Sequence, residues 1–161
     1  MVPRANAYFW SLDKKMIKQR IQIVLVGGLI LNQNGKVLLT QRNEREFPLW
    51  DGKWGLPGGH LEFGDHPEKR LLKEMKEELG VGVRILSKTP FIASYVLQAE
   101  KIIYHGIILC YLCQIIRGQP RIANQENRDF KWFKPEKINF QDCLPGTDVF
   151  LHQFLAQNPK T

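Results

Sequence analysis

An α/β architecture is expected of this chain on three grounds: an early strand–hairpin–strand unit, a central strand–turn–helix unit, and a later run of strands closed by a helix. The first rests on residues 21–31, apolar and β-branched enough for a buried strand. Asn32-Gln33-Asn34-Gly35 follows as a hairpin turn in which Asn-Gly supplies positive φ, and residues 36–42 return as a second strand. The central unit spans Trp54 to Val81, where Pro57-Gly58-Gly59 lets the backbone turn sharply and approach a ligand closely. Pro67 suits the first helical position and Gly80 a left-handed C-terminal cap, while His66 stands where Ser or Thr would cap better. Beyond the helix, 81–86 and 91–96 read as short strands, 98–100 as a turn, and 102–116 as a long apolar strand bent at Gly106. Gly118-Gln119-Pro120 breaks it, Pro135 starts a short helix or turn, and 148–156 read as a final helix capped by Thr147 or Asp148.

At about 100° per residue, Leu71, Leu72, Met75 and Leu79 fall on one arc of the central helix, a core-facing stripe. Glu74, Glu77 and Glu78 crowd the adjoining arc at i, i+3 and i+4, where like charges repel and destabilise the helix. A divalent cation removes that cost, and hard carboxylate oxygens suit Mg²⁺ or Mn²⁺. The plainer reading is a solvated Lys/Glu face, with Lys73 and Lys76 pairing with Glu77 and its neighbours. The glycine turn just ahead, which leaves bare carbonyls near the helix start, favours the metal.

Residues 43–53, Asn-Glu-Arg-Glu-Phe-Pro-Leu-Trp-Asp-Gly-Lys, form a loop rich in charge and aromatics, long enough to suggest function. Arg42, Arg45 and Lys53 are candidates to hold phosphate oxygens, Arg through a bidentate fork. Phe47, Trp50 or Trp54 are candidates to stack on a base, against which Trp54 packing under the glycine turn is the competing reading.

Composition bounds the rest. At 161 residues, 43% hydrophobic and 24% charged, the chain is long enough for one globular domain over 21–161, with an N-terminal extension over 1–20. In that extension Phe9, Leu12, Met16 and Ile17 line one side of an expected short helix, packing on the domain or on a second subunit. The net charge of +7 attracts anions, though basic enzymes are common enough that charge alone selects no substrate. No secretory pattern or membrane-length apolar run is visible. Cys110 and Cys113 sit at i, i+3 in a strand and point to opposite faces, which suits core filling rather than zinc or redox chemistry. A reducing, cytoplasmic setting is the default expectation. His60 adjoins the glycine turn, His105 and His152 read as structural, and none joins a catalytic or metal-ligand constellation.

The spaced run Gly59, Asp65 and Lys73-Glu74-Met75-Lys76-Glu77-Glu78-Leu79-Gly80-Val81, led in by Trp54-Gly55-Leu56-Pro57-Gly58-Gly59, resembles the signature box of the Nudix hydrolases. That box is normally Gly-x5-Glu-x7-Arg-Glu-U-x-Glu-Glu-x-Gly-U, with U aliphatic; Asp65 stands where Glu is usual and Lys73 where Arg is usual. The resemblance implies the Nudix fold, an α/β/α sandwich with a mixed β-sheet. It implies Glu74, Glu77 and Glu78 as metal ligands, with the carbonyl of Gly58 or Gly59 as a neutral one. Arg42, ending the second strand, is the implied phosphate contact. Glu126, six residues before Trp132, is the implied late acid of the metal site, against an exposed loop Glu as the plainer reading. Either Glu74 or Glu126 orients or deprotonates the attacking water. In the family the box Arg steadies the Glu beside it. Lys73 keeps that charge without the guanidinium fork, so a loosened Glu74 is expected.

The implied activity is Mg²⁺-dependent hydrolysis, with Mn²⁺ as a substitute, of a nucleoside diphosphate linked to another group. Nucleoside triphosphates and nucleotide sugars both fit. The alternatives are a non-hydrolytic nucleotide sensor, an isomerase of isoprenoid diphosphates and an RNA-directed Nudix hydrolase. Retention of all three glutamates counts against the sensor, and no Cys near the box supports the isomerase. No basic stripe interleaved with aromatics supports RNA. The expected partner is a small nucleotide-type substrate, without membrane or nucleic acid. A homodimer is a further expectation, with the N-terminal segment as candidate interface.

Overall fold

A computed structural model describes residues 19–99 and 102–158. Its strands are β1 (Gln19–Ile30), β2 (Val37–Arg42), β3 (Trp54–Gly55), β4 (Gly58–His60), β5 (Gly82–Ile85), β6 (Phe91–Ala99), β7 (Ile102–Arg117) and β8 (Asn127–Phe133). Among the described residues the helices are α1 (Pro67–Leu79) and α2 (Thr147–Gln157), with short 3₁₀ turns besides. The expected helix of the N-terminal extension, and any dimer contact through it, lies outside the described residues, although Gln19 and Arg20 already belong to β1.

β1 and β7 run parallel along their length, from Gln19 opposite Ile102 to Ile30 opposite Cys113. The other edge of β7 carries β6 and, further along, β5, both antiparallel. β4 adds antiparallel to β1, and a second sheet, β3-β2-β8, is wholly antiparallel. Alternation along these strands sorts the core into two layers. Val26, Ile30, Tyr111 and Cys113 meet Leu71, Met75 and Leu79 of α1. Leu29, Cys110 and Ala93 meet Phe150, Leu151 and Phe154 of α2. The helices therefore cover opposite faces of a mixed sheet, the expected α/β/α sandwich. Each of the fully buried Leu, Ile, Val, Met and Phe side chains contributes about 1.5–3 kcal/mol relative to exposure. Cys110 and Cys113 fill opposite layers as free thiols.

Several local expectations change. Leu72 is exposed, and Glu74 and Glu78 are buried in the helix face where a uniform apolar stripe was expected to end. In the first hairpin only Gly35 takes positive φ (68°); Asn32 instead accepts from the amides of Asn34 and Lys36 through its side chain. At Gly106 the register of β7 with both neighbours runs unbroken, so no bulge sits there. A Cβ there would lie 2.3 Å from the Tyr95 ring, so this glycine makes room for a cross-strand aromatic. α2 starts after Gly146 in left-handed conformation, without a side-chain cap from Thr147 or Asp148. The 43–53 loop holds a 3₁₀ turn at Pro48–Trp50 and is tied to itself by the Glu44 amide donating to Asp51.

Candidate active site

A cleft of about 310 Å³ opens where β4, the polar face of α1, the ends of β2 and β8, and the loop before α2 converge. One wall is acidic, with Glu74, Glu78 and Glu126, and the cations Arg42 and Arg70 stand beside them. A further stretch of wall is apolar, with Leu25, Ile108, Leu144 and Phe150, and Trp50 and Tyr95 also line the cleft.

The acidic wall is built by the glycine turn and the helix together. Gly58 adopts φ 155°, and a Cβ on it would lie 2.0 Å from the Val26 carbonyl oxygen, so the close pairing of β4 on β1 requires glycine. Its N–H donates to Oε2 of Glu78 at 2.8 Å, while Nδ2 of Asn127 donates to Oε1 at 3.0 Å. Glu78 is only 2% exposed, and burial pushes its carboxyl up to about 8 against the two hydrogen bonds, with Glu74 and Glu126 adding repulsion. Gly59 faces the Glu74 carboxylate so closely that a Cβ would sit 2.6 Å from it. Burial raises the Glu74 carboxyl as well, opposed by Arg70 and reinforced by Glu77 and Glu126.

The segment that delivers Asn127 and Glu126 is fixed to the end of α1. The amides of Arg121 and Ala123 donate to the carbonyls of Leu79 and Glu78, satisfying groups a helix end leaves unpaired. Glu126 itself is exposed and pairs with Arg42 at 3.0 Å; Arg42 also contacts Glu44 at 3.3 Å.

Two buried acids with a third at the rim form a donor set suited to hard cations. Among the described residues no three His, Cys, Asp or Glu side chains converge tightly enough to cage an ion by themselves. The oxygen donors that do meet here, carboxylates and backbone carbonyls, are of the kind a hard divalent cation takes.

The NUDIX domain family matches residues 22–154. A nucleoside triphosphatase, NudI, of Escherichia coli is 30% identical over 132 residues, which span 78% of this chain and 92% of that protein. The chain belongs to the Nudix hydrolases. Among solved structures, the MutT NUDIX hydrolase of Burkholderia pseudomallei superposes with TM-score 0.71 at 25% identity, covering 83% of this chain and 98% of that one. The MutT protein of Methanosarcina mazei Go1 gives TM-score 0.65 at 23% identity, covering 88% and 98%.

Within this Nudix domain the expected residues separate. Gly59, Glu74, Glu78, Glu126 and Arg42 line the cleft. Glu77 does not: it is half in solvent, with Lys73 Nζ 3.7 Å from its Oε1. Lys73 is exposed and turned from Glu74, for a geometric reason: residues 73 and 77 lie about 40° apart on the helix, whereas 73 and 74 lie about 100° apart. Arg45 is exposed and outside the cleft lining. Trp54 packs against Phe133 at 5.0 Å under Lys131, in the layer beneath α2, which removes it from the cleft and leaves Trp50 there instead. Arg70, Asn127 and Tyr95 were not anticipated. Arg70 and Asn127 are recognisable from sequence only by position, four residues before Glu74 and directly after Glu126.

Proposed function

We propose that this Nudix hydrolase is a Mg²⁺-dependent pyrophosphohydrolase of nucleoside diphosphates linked to a further group, with nucleoside triphosphates as the first class to test. The carrying observation is a single cleft lined both by the acids Glu74, Glu78 and Glu126 and by apolar side chains with Trp50 and Tyr95. The nucleoside belongs with the apolar lining and the phosphates with the acids. Likeness to a protein described as a nucleoside triphosphatase supports the same order of testing.

Glu74 and Glu78, with the Gly59 carbonyl, are the residues to hold Mg²⁺. Bound there, the ion neutralises phosphate charge and acidifies water. The hydrogen bonds from Gly58 and Asn127 keep the Glu78 carboxylate aimed along one direction. Arg42, at the rim, exchanges its carboxylate partners for phosphate oxygens, which match its fork equally well. Glu74 receives the proton of the attacking water. In the metal-free protein burial raises this carboxyl and Arg70 opposes the rise. The free, buried thiols of Cys110 and Cys113 suit a reducing compartment such as the cytoplasm.

The test is phosphate or pyrophosphate release across nucleoside triphosphates and nucleotide sugars, with Mg²⁺, with Mn²⁺ and with chelator. Hydrolysis that needs the metal, collapses in Glu78→Gln and falls further in Glu74→Gln than in Glu126→Gln supports the assignment. Metal-independent hydrolysis, or full activity of Glu78→Gln, overturns it.

A further inference from the structure

Arg70 stands between two acids. Its Nη2 lies 2.6 Å from Oε1 of Glu74, its Nη1 lies 3.7 Å from Oδ2 of Asp65, and its side chain is 19% exposed. Asp65 is itself held, because the same Oδ2 accepts from the Glu62 amide at 3.1 Å. Glu74 is 9% exposed at its side chain, so the pair is largely shielded from water. Residues 70 and 74 lie about 40° apart on the helix, one turn from each other on the cleft face. The box position that normally carries the guanidinium has Lys73, which faces Glu77 across solvent.

The geometry points to Arg70 as the positioning residue for Glu74, anchored by Asp65, so that the fork missing at position 73 is supplied from one turn earlier. This rests on the reading of Glu74 as part of the hydrolytic site. A planar guanidinium can address two carboxylates through separate nitrogens, whereas an ammonium on the exposed side reaches neither. Asp65 and Lys73 then belong to one arrangement. The shorter acid meets an arginine that comes from position 70, and Lys73 is released to a surface pair. Arg70 Nε is buried without a hydrogen-bond partner, a cost that the two ion pairs offset.

The experiment combines kinetics with melts of the metal-free protein. Arg70→Gln is expected to lower kcat at least about tenfold while KM stays within about threefold. Arg70→Lys recovers part of that loss, and Lys73→Gln loses less than Arg70→Gln. In the metal-free protein Arg70→Gln lowers Tm in the wild-type background and not in the Glu74→Gln background. Unchanged kcat, a rise in KM alone, a larger loss for Lys73→Gln, or equal Tm effects in both backgrounds each overturns the assignment. Should Arg70→Gln fail to fold, Asp65→Asn replaces it, with a drop in kcat expected and an unchanged kcat fatal. Absence of nucleotide hydrolysis in the wild type would remove the hydrolase reading only, since the melts still decide whether Arg70 holds Glu74.

Discussion

The backbone N–H of Gly58 donates to Oε2 of Glu78 at 2.8 Å, joining the glycine turn to the last acid of the helix. With Asn127 on the other oxygen, the carboxylate is fixed from two elements at a place where water scarcely reaches. A buried carboxyl so placed, facing Glu74 and Glu126, is costly to ionise unless a cation joins it.

That cost makes metal-free stability depend on pH. Glu78 sits at about 8 in the folded protein, against 4.5 as its ordinary value. The folded state therefore binds this proton more tightly than the unfolded one. Its stabilising contribution is full below about pH 4.5 and is lost as pH rises through about 8. The loss is on the order of 5 kcal/mol when complete. In melts with chelator, Glu78→Gln should be the more stable protein above about pH 8, with the gap closing as pH falls. Added Mg²⁺ should raise Tm in the wild type and scarcely in Glu78→Gln. A wild-type Tm that climbs relative to Glu78→Gln as pH rises would contradict the placement of this charge.

Asn127 donates from its side chain to Glu78 and is itself 5% exposed. Asn127→Ala should raise the Mg²⁺ concentration for half-maximal rate by about 10–100-fold, because the oxygen it orients is left without direction. Asn127→Asp adds a like charge and should be worse at neutral pH than Asn127→Ala. Metal titrations of the rate for both variants check the order.

The two glycines of the turn should fail differently. Gly58→Ala puts a Cβ into the Val26 carbonyl, a clash with backbone that cannot move aside cheaply, so loss of Tm comes first. Gly59→Ala meets the Glu74 carboxylate first, at 2.6–2.8 Å, the far end of a side chain rather than backbone. It should keep most of its Tm and lose hydrolysis. Melting curves and rates measured side by side distinguish the two.

The strand–turn–helix core of the site was legible in the sequence because its signals are local. Pro67, Gly80 and the spacing of the acids each act on the turn of helix in which they stand, and the structure has α1 running from Pro67 with Gly80 in left-handed conformation. What lies across the cleft depends on chain pairing over long separations. Asn127 reaches Glu78 across 49 residues, and Trp50 meets Tyr95 because β6 pairs with β7 over Gly106. Lys73 illustrates a different limit: a matched box position says which residue type is usual there, while the helix angle decides what it can touch.

The aromatic wall carries the last prediction. Trp50 and Tyr95 meet edge to face at 6.5 Å, and Phe47 lies 5.5 Å from Trp50 and 5.9 Å from Tyr104, so Trp50 is braced from two sides. A base inserted between the cleft's apolar wall and such a ring gains about 1–3 kcal/mol of stacking. Trp50→Ala should therefore raise KM by about 5–150-fold with a smaller change in kcat. Gly106→Ala should imitate Tyr95→Ala, since the added methyl occupies the place of the Tyr95 ring. Trp54→Ala gives the contrast. Its ring packs on Phe133 away from the cleft, so it should lower Tm and leave KM nearly as it was. If Trp54→Ala raises KM while Trp50→Ala does not, the base lies on the other side of β3 from where the cleft puts it.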